Sequence, residues 1–165
     1  SLSAAGACGA SLRVRHSEYP TPAARITKVT DGDTITVKAG WGKEKIRLCG
    51  VDAPELSQPL GTQSRDNLRS LIAAAGNQVN LMPVAKDRYG RIVAELFTVL
   101  KDGQEQFLQE EQLKTGMAYV YERYLSDCPN ADAMRSAEAI ANRSHVGVWN
   151  GEPHQKPWDY RRAKR

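Results

Sequence analysis

The chain has 165 residues with 23 basic and 19 acidic side chains, a net charge of +4 and a pI near 9.0. That length suits one domain with its own core, and no run of about 18 apolar residues reads as a membrane span. The segment RRAKR holds four of the cations (Arg161, Arg162, Lys164, Arg165), which leaves 19 of each sign elsewhere; the body is neutral, and any basic site is local.

Residues 1–23 read as an arm ended by YPTPA. Its opening SLSAAGACGA lacks the basic start and apolar stretch of an intact signal peptide, and is compatible with a chain from which one has been cleaved. From residue 24 apolar and polar residues alternate: Ile26, Lys28 and Thr30 point one way and Thr27 and Val29 the other, with Ile35, Val37, Ile46 and Leu48 continuing the habit. This predicts three short strands with turns at DGD and AGWGK. Residues 62–75 switch to helical spacing, with Leu68, Leu71, Ile72 and Ala75 on one face and Gly76-Asn77 after it. QVNLMPV and RIVAELFTVL predict two more strands. QFLQEEQLKTG and NADAMRSAEAIANRSH predict two more helices. The expectation is an α+β domain over residues 24–150, a five-stranded OB-type barrel with three helices packed outside, followed by a basic tail over 151–165.

Cys8, Cys49 and Cys128 show no metal-type spacing. Cys49 lies in a strand-like run and reads as a buried free thiol, so a Cys8–Cys128 disulfide is expected if the protein is exported.

Three charges stand where burial is expected. Arg47 lies inside an apolar strand, and Asp52 and Glu55 flank Pro54 at its exit. Asp31-Gly32-Asp33 taken alone is an ordinary turn. If Asp33 and Asp52 converge, however, they make an oxygen-rich anionic pocket that a hard divalent cation neutralises, and Ca²⁺ suits such ligands better than zinc does. Arg47 is then either an ion-pair partner or a fork for phosphate. KDRYGR interleaves Lys86, Arg88 and Arg91 with Tyr89, and AYVYERY supplies Tyr119, Tyr121 and Tyr124. These read as a polar turn and core aromatics, or as a nucleotide clamp. No Ser-His-Asp or Cys-His pattern is present.

VTDGDTITV, IRLCGVDAPE, DRYGR and GMAYVY, in this order and approximate spacing, resemble the staphylococcal nuclease (thermonuclease) family, and GVWN and KPWDYRR resemble its bacterial members. The resemblance spans roughly residues 24–150. It implies an OB-type barrel and a Ca²⁺-dependent phosphodiesterase that cuts DNA and RNA to 3′-phosphate and 5′-hydroxyl ends. It implies Asp33, Asp52 and the Ala53 carbonyl as metal ligands, Glu55 as the group that orients or deprotonates water, and Arg47 and Arg91 as phosphate binders. Arg88, Tyr89, Tyr119 and Tyr121 would line the nucleotide pocket. The segment after Glu55 is shorter than the lysine-bearing loop of the staphylococcal enzyme, and ERYLSDCPNAD is longer than its counterpart. A secreted or periplasmic monomer acting on single-stranded DNA and RNA, with no membrane association and no obligate protein partner, completes the expectation. A binding module of the same fold, or a plain ion-pair network, is the alternative.

Overall fold

A computed structural model describes residues 23–40 and 42–165; the predicted arm lies almost wholly, and Cys8 wholly, outside them. Strands β1 (Ala24–Asp31), β2 (Thr34–Ala39) and β3 (Gly42–Leu48) form an antiparallel meander. A two-residue strand, β4 (Val51–Asp52), leads into helix α1 (Gly61–Ala73). Strands β5 (Gln78–Lys86) and β6 (Ile92–Val99) form a hairpin; β5 pairs with β1 and β6 runs parallel to β3. The path β3-β2-β1-β5-β6 thus returns to β3, and the predicted five-stranded barrel is closed.

One strand departs from simple alternation. Register shifts lie between Ile26 and Lys28 and between Val29 and Asp31. Bulges of this kind re-aim side chains, and Ile26 and Val29 both enter the core although strict alternation opposes them. Ile35, Val37, Ile46, Leu48 and Leu96 fill the barrel, each at most 1% exposed. Helix α1 seals it with Leu68 and Ile72, as its spacing predicts.

The predicted helix over QFLQEEQLKTG begins later than its periodicity suggests. Glu105–Phe107 instead form β7 on the edge of β6, because Phe107 pairs with Phe97 and stacks on it at 5.0 Å. Helix α2 (Leu108–Lys114) comes next, and its buried Gln109 clamps β6, donating to the Ala94 carbonyl (2.9 Å) and accepting from the Leu96 N–H (3.1 Å). Strand β8 (Tyr119–Val120) pairs with β4, and short helix α3 (Glu122–Leu125) precedes the predicted α4 (Ala131–Ser144). The extra residues of ERYLSDCPNAD form α3 and the turn into α4.

Two expectations change. Cys128 is bonded to Cys49, not to Cys8. The loop between α3 and α4 packs directly on the end of β3. A Cβ on Gly50, a residue with φ +75°, would lie 2.7 Å from Leu125 and 2.9 Å from the Cys128 sulfur. Cys49 is therefore buried as expected but is no free thiol. The basic segment at residues 151–165, expected as a tail, contains helix α5 (Pro157–Ala163).

Candidate active site

The site is built where β1, β2, β3 and β4 meet. The Asp31–Asp33 turn leaves Asp33 just before β2, and its carbonyl accepts the Leu48 N–H at 2.9 Å. Pairing of Thr34 with Arg47 places the Asp33 carboxylate beside the arginine. Arg47 Nη1 lies 3.2 Å from Asp33 Oδ2, and Nη2 lies 3.5 Å from Asp52 Oδ1. Asp33 also accepts the Ala53 N–H (2.7 Å) and the Thr34 hydroxyl (3.0 Å). One carboxylate thus fixes the backbone next to the other. The arginine in the strand is neither buried bare nor turned to solvent: its fork spans two carboxylates.

Gly32 makes this turn possible. A Cβ there would overlap Ser64 Oγ and lie 2.8 Å from Ala53 Cβ. Buried Gln112 of α2 donates to the Gly32 carbonyl (2.8 Å) and the Ser64 carbonyl (3.2 Å), tying the turn to both helices. Glu55 is positioned by Gln58, whose Oε1 accepts the Glu55 N–H (2.9 Å) and whose N–H donates to the Glu55 carbonyl (2.8 Å). The short segment after Glu55 is thus a tight, bonded loop that leads straight into α1.

Arg161 of α5 completes the cluster. Its guanidinium donates to both oxygens of Asp52 (2.9 and 2.7 Å) and to Glu55 Oε1 (2.8 Å). Asp52 is only 1% exposed, so it holds its charge between two guanidinium groups. Burial raises the Asp52 carboxyl above its ordinary range; the bonds from Arg161 oppose this, while the charge of Asp33 adds to it. Arg161 is in turn held more firmly in its charged form by Asp52 and Glu55. The bidentate geometry is that of an ionised pair, so the upward pull on Asp52 expresses the cost of burying it. Asp31 and Asp33 divide their roles. Burial and the charge of Asp33 push the Asp31 carboxyl up, to about 8. Burial also works against Asp33, but Arg47 and the bonds it accepts outweigh it and hold Asp33 below the usual range, ionised.

Arg91 and its neighbours occupy the β5–β6 turn. Val93 pairs with Arg47, which sets Arg91 two residues back along the adjoining strand. Its Nε is engaged by Asp87 at 2.7 Å. Arg88 and Arg91 stand 5.0 and 5.6 Å from the ring of Tyr89, which is 68% exposed. Tyr121 is covered by Trp158 of α5, stacked parallel at 5.3 Å. Tyr119 is 1% exposed, with Trp149 and Trp158 edge-on and Lys156 Nζ 4.1 Å above its ring. A cavity of about 180 Å³ between Pro54, Tyr119, His154 and Tyr160 adjoins this group. Sequence reasoning assigns no role to Asp31, Gln58, Gln112, Trp158 or Arg161. For Trp158 and Arg161 the signals are the resemblance of KPWDYRR to bacterial members and a tryptophan and two arginines at helical spacing within it.

The donor chemistry fits a hard divalent cation. Among the described residues no three His, Cys, Asp or Glu side chains form a ready metal cluster. Asp33, Asp52 and Glu55 are instead oxygen donors gathered around guanidinium, with Arg161 as a stand-in cation on two of them.

A closed OB-type barrel with an Asp-Arg-Asp-Glu cluster at one end defines a class of small α+β proteins. The chain belongs to the staphylococcal nuclease family: the family described as "Staphylococcal nuclease homologue" matches residues 45–151. It is similar to an uncharacterised endonuclease of Escherichia coli, 34% identical over 140 residues that cover 85% of each chain. It is 33% identical to a micrococcal nuclease of Shigella flexneri over 144 residues, 85% of this chain and 80% of the relative. A staphylococcal-like nuclease of Arabidopsis thaliana is 32% identical over 123 residues, 74% of this chain and 35% of that protein.

Proposed function

We propose that this protein is a Ca²⁺-dependent nuclease that hydrolyses DNA and RNA to 3′-phosphate and 5′-hydroxyl products. The observation that carries the reading is the Arg47 fork held between Asp33 and Asp52, with Glu55 joined to the same cluster; family membership supports it.

Asp33, Asp52 and the backbone of Ala53 would hold the metal. When bound, Ca²⁺ supplies Lewis-acid polarisation of a phosphoryl oxygen. The chain supplies the rest. Glu55 accepts a hydrogen bond or the proton from a water aimed at phosphorus. The water oxygen bonds to phosphorus, the P–O5′ bond breaks, and the 5′ oxygen takes up a proton. Arg47, fixed in orientation by two carboxylates, stabilises the added negative charge of the five-coordinate phosphorus. Arg91 joins it once phosphate competes with Asp87 for its fork. Arg88, Tyr89 and Tyr121 hold the nucleotide by charge and stacking; Tyr119, expected beside them, is 1% exposed beneath Trp149, Trp158 and Lys156 and offers no face for stacking while they stay.

The buried Cys49–Cys128 bond supports work in an oxidising compartment, secreted or periplasmic. We place the protein there as a monomer acting on single-stranded nucleic acid.

The test is cleavage of an end-labelled single strand with Ca²⁺ and with chelator. Wild type cuts only with Ca²⁺ and leaves 3′-phosphate ends. Glu55→Gln keeps the shape, removes the charge, and should lower turnover by about 10²-fold or more while still binding DNA. Near wild-type cleavage by Glu55→Gln would refute the role of Glu55.

A further inference from the structure

Helix α5 engages both halves of the proposed site at once. Arg161 neutralises Asp52 and occupies Glu55 Oε1, the groups proposed to serve metal and water. One turn earlier on the same helix, Trp158 lies flat on Tyr121, the face proposed for a nucleobase. A cation sits on the carboxylates and an aromatic ring sits on the stacking platform, as a metal and a base would.

We propose that residues 156–165 are an intramolecular pseudo-ligand: a latch that closes the site and that a divalent cation together with nucleic acid must displace. The inference rests on the nuclease reading for what the latch excludes.

The way α5 is attached suits release. It has seven residues and only Pro157 is buried. Beyond Tyr121 it meets buried Tyr119, through Trp158 edge-on and Lys156 above the ring, and its remaining anchors are polar and peripheral: Tyr160 and Lys164 meet Ser57, and the preceding Gln155 carbonyl accepts from Gln58 Nε2 at 3.0 Å. The Arg161 side chain is 37% exposed, so its pairs are partly screened by water. The stretch from Asn150 to Lys156 that carries it has no regular helix or strand. Its departure would bare one side of Tyr119 together with the face of Tyr121.

A closed latch weakens apparent metal affinity by the fraction of molecules that are open. If that fraction is about one in ten, removing the latch tightens Ca²⁺ binding about tenfold. Arg161→Gln alone is ambiguous, because deleting any cation near carboxylates favours Ca²⁺. Trp158→Ala changes no charge and separates the two causes.

The experiment measures Ca²⁺ affinity by calorimetry in the wild type, Arg161→Gln and Trp158→Ala, together with amide hydrogen exchange of residues 158–163 with and without Ca²⁺ and single-stranded DNA. The latch predicts tighter Ca²⁺ binding in both variants, and faster exchange of 158–163 in the wild type when Ca²⁺ and single-stranded DNA are added. Unchanged affinity in Trp158→Ala, with α5 still protected in the presence of Ca²⁺ and DNA, would overturn it. So would Arg161→Gln that keeps wild-type Ca²⁺ affinity but loses turnover, which would make Arg161 part of the catalytic set. Both variants binding Ca²⁺ more tightly while no form cleaves DNA would sink the nuclease reading and leave the latch standing. Failure of every form to bind Ca²⁺ would overturn both.

Discussion

At the scale of single residues, the site depends on atoms that are not catalytic. Gly32 is the clearest. Its lack of a side chain lets Ser64 and Ala53 close on the Asp31–Asp33 turn, and Ala53 is bonded to Asp33. Gly32→Ala must push a backbone away from a helix, and overpacking of this kind costs about 1–3 kcal/mol. The expected result is a lower urea midpoint with unchanged slope, and lower turnover because Asp33 shifts relative to Arg47. Denaturation with circular dichroism checks the first and steady-state kinetics the second; full stability in Gly32→Ala would show that the turn yields freely. The four charges of the cluster are legible in the sequence because they lie in short motifs close together in the chain. Arg161 is not, since only the folded chain brings it more than 100 residues back to Asp52.

At the scale of elements, the strands and main helices obey hydrophobic period, and the misses have local causes. Bulges in β1 break the alternation, and Phe107 is drawn into β7 by Phe97. The start of α4 shows a tertiary bond that no pattern encodes. Buried Glu95 of β6 accepts from the Asn130 N–H (2.7 Å) and from Asn130 Nδ2 (2.6 Å), which pins the N-cap residue of α4 to the barrel. Burial raises the Glu95 carboxyl above its ordinary 4.5, although both bonds from Asn130 oppose this. The folded state therefore binds the Glu95 proton more tightly than the unfolded chain does. Its contribution to stability is greatest in acid and declines as pH rises from about 4.5 through the folded value. Glu95→Gln should flatten that part of the stability–pH curve. Glu95→Ala, which takes the acceptor away from both Asn130 donors, should cost about 1–3 kcal/mol per bond lost. Urea titrations at several pH values measure both, and a slope unchanged in Glu95→Gln would show that Glu95 does not set the pH dependence.

At the scale of the whole molecule, the disulfide joins the exit of β3 to the loop before α4, 79 residues apart. Sequence arithmetic points to Cys8 as the partner, because spacing carries no information on which loop packs against a strand end. In the chain-entropy picture a loop of this length restricts the unfolded chain by about 4–5 kcal/mol. Peptide mapping without reduction should recover Cys49 linked to Cys128. A Cys49→Ala/Cys128→Ala double variant should unfold at clearly lower denaturant. Recovery of both as separately alkylated peptides from protein kept under oxidising conditions would overturn the pairing. The tail cations, which inflate the pI, are largely engaged within the molecule: Arg161 by Asp52 and Glu55, Arg162 by Asp159 at 3.3 Å, and Lys164 by Ser57.

The parallel seam between β3 and β6 carries a consequence for how the molecule comes together. Ile46 must find Ile92, and Ala24 must find Val79, before the barrel is a barrel. Contacts so far apart in sequence form late and slowly, on the order of milliseconds to seconds for folds rich in them. Asp31, Asp33, Arg47, Asp52 and Glu55 all belong to the meander and its exit, a stretch of chain that can assemble early. Their partners Gln112 and Arg161, and the neighbouring Arg91, arrive only with the second half. During synthesis the meander therefore emerges before Arg91 and Gln112, and the site stays incompetent until those two join it.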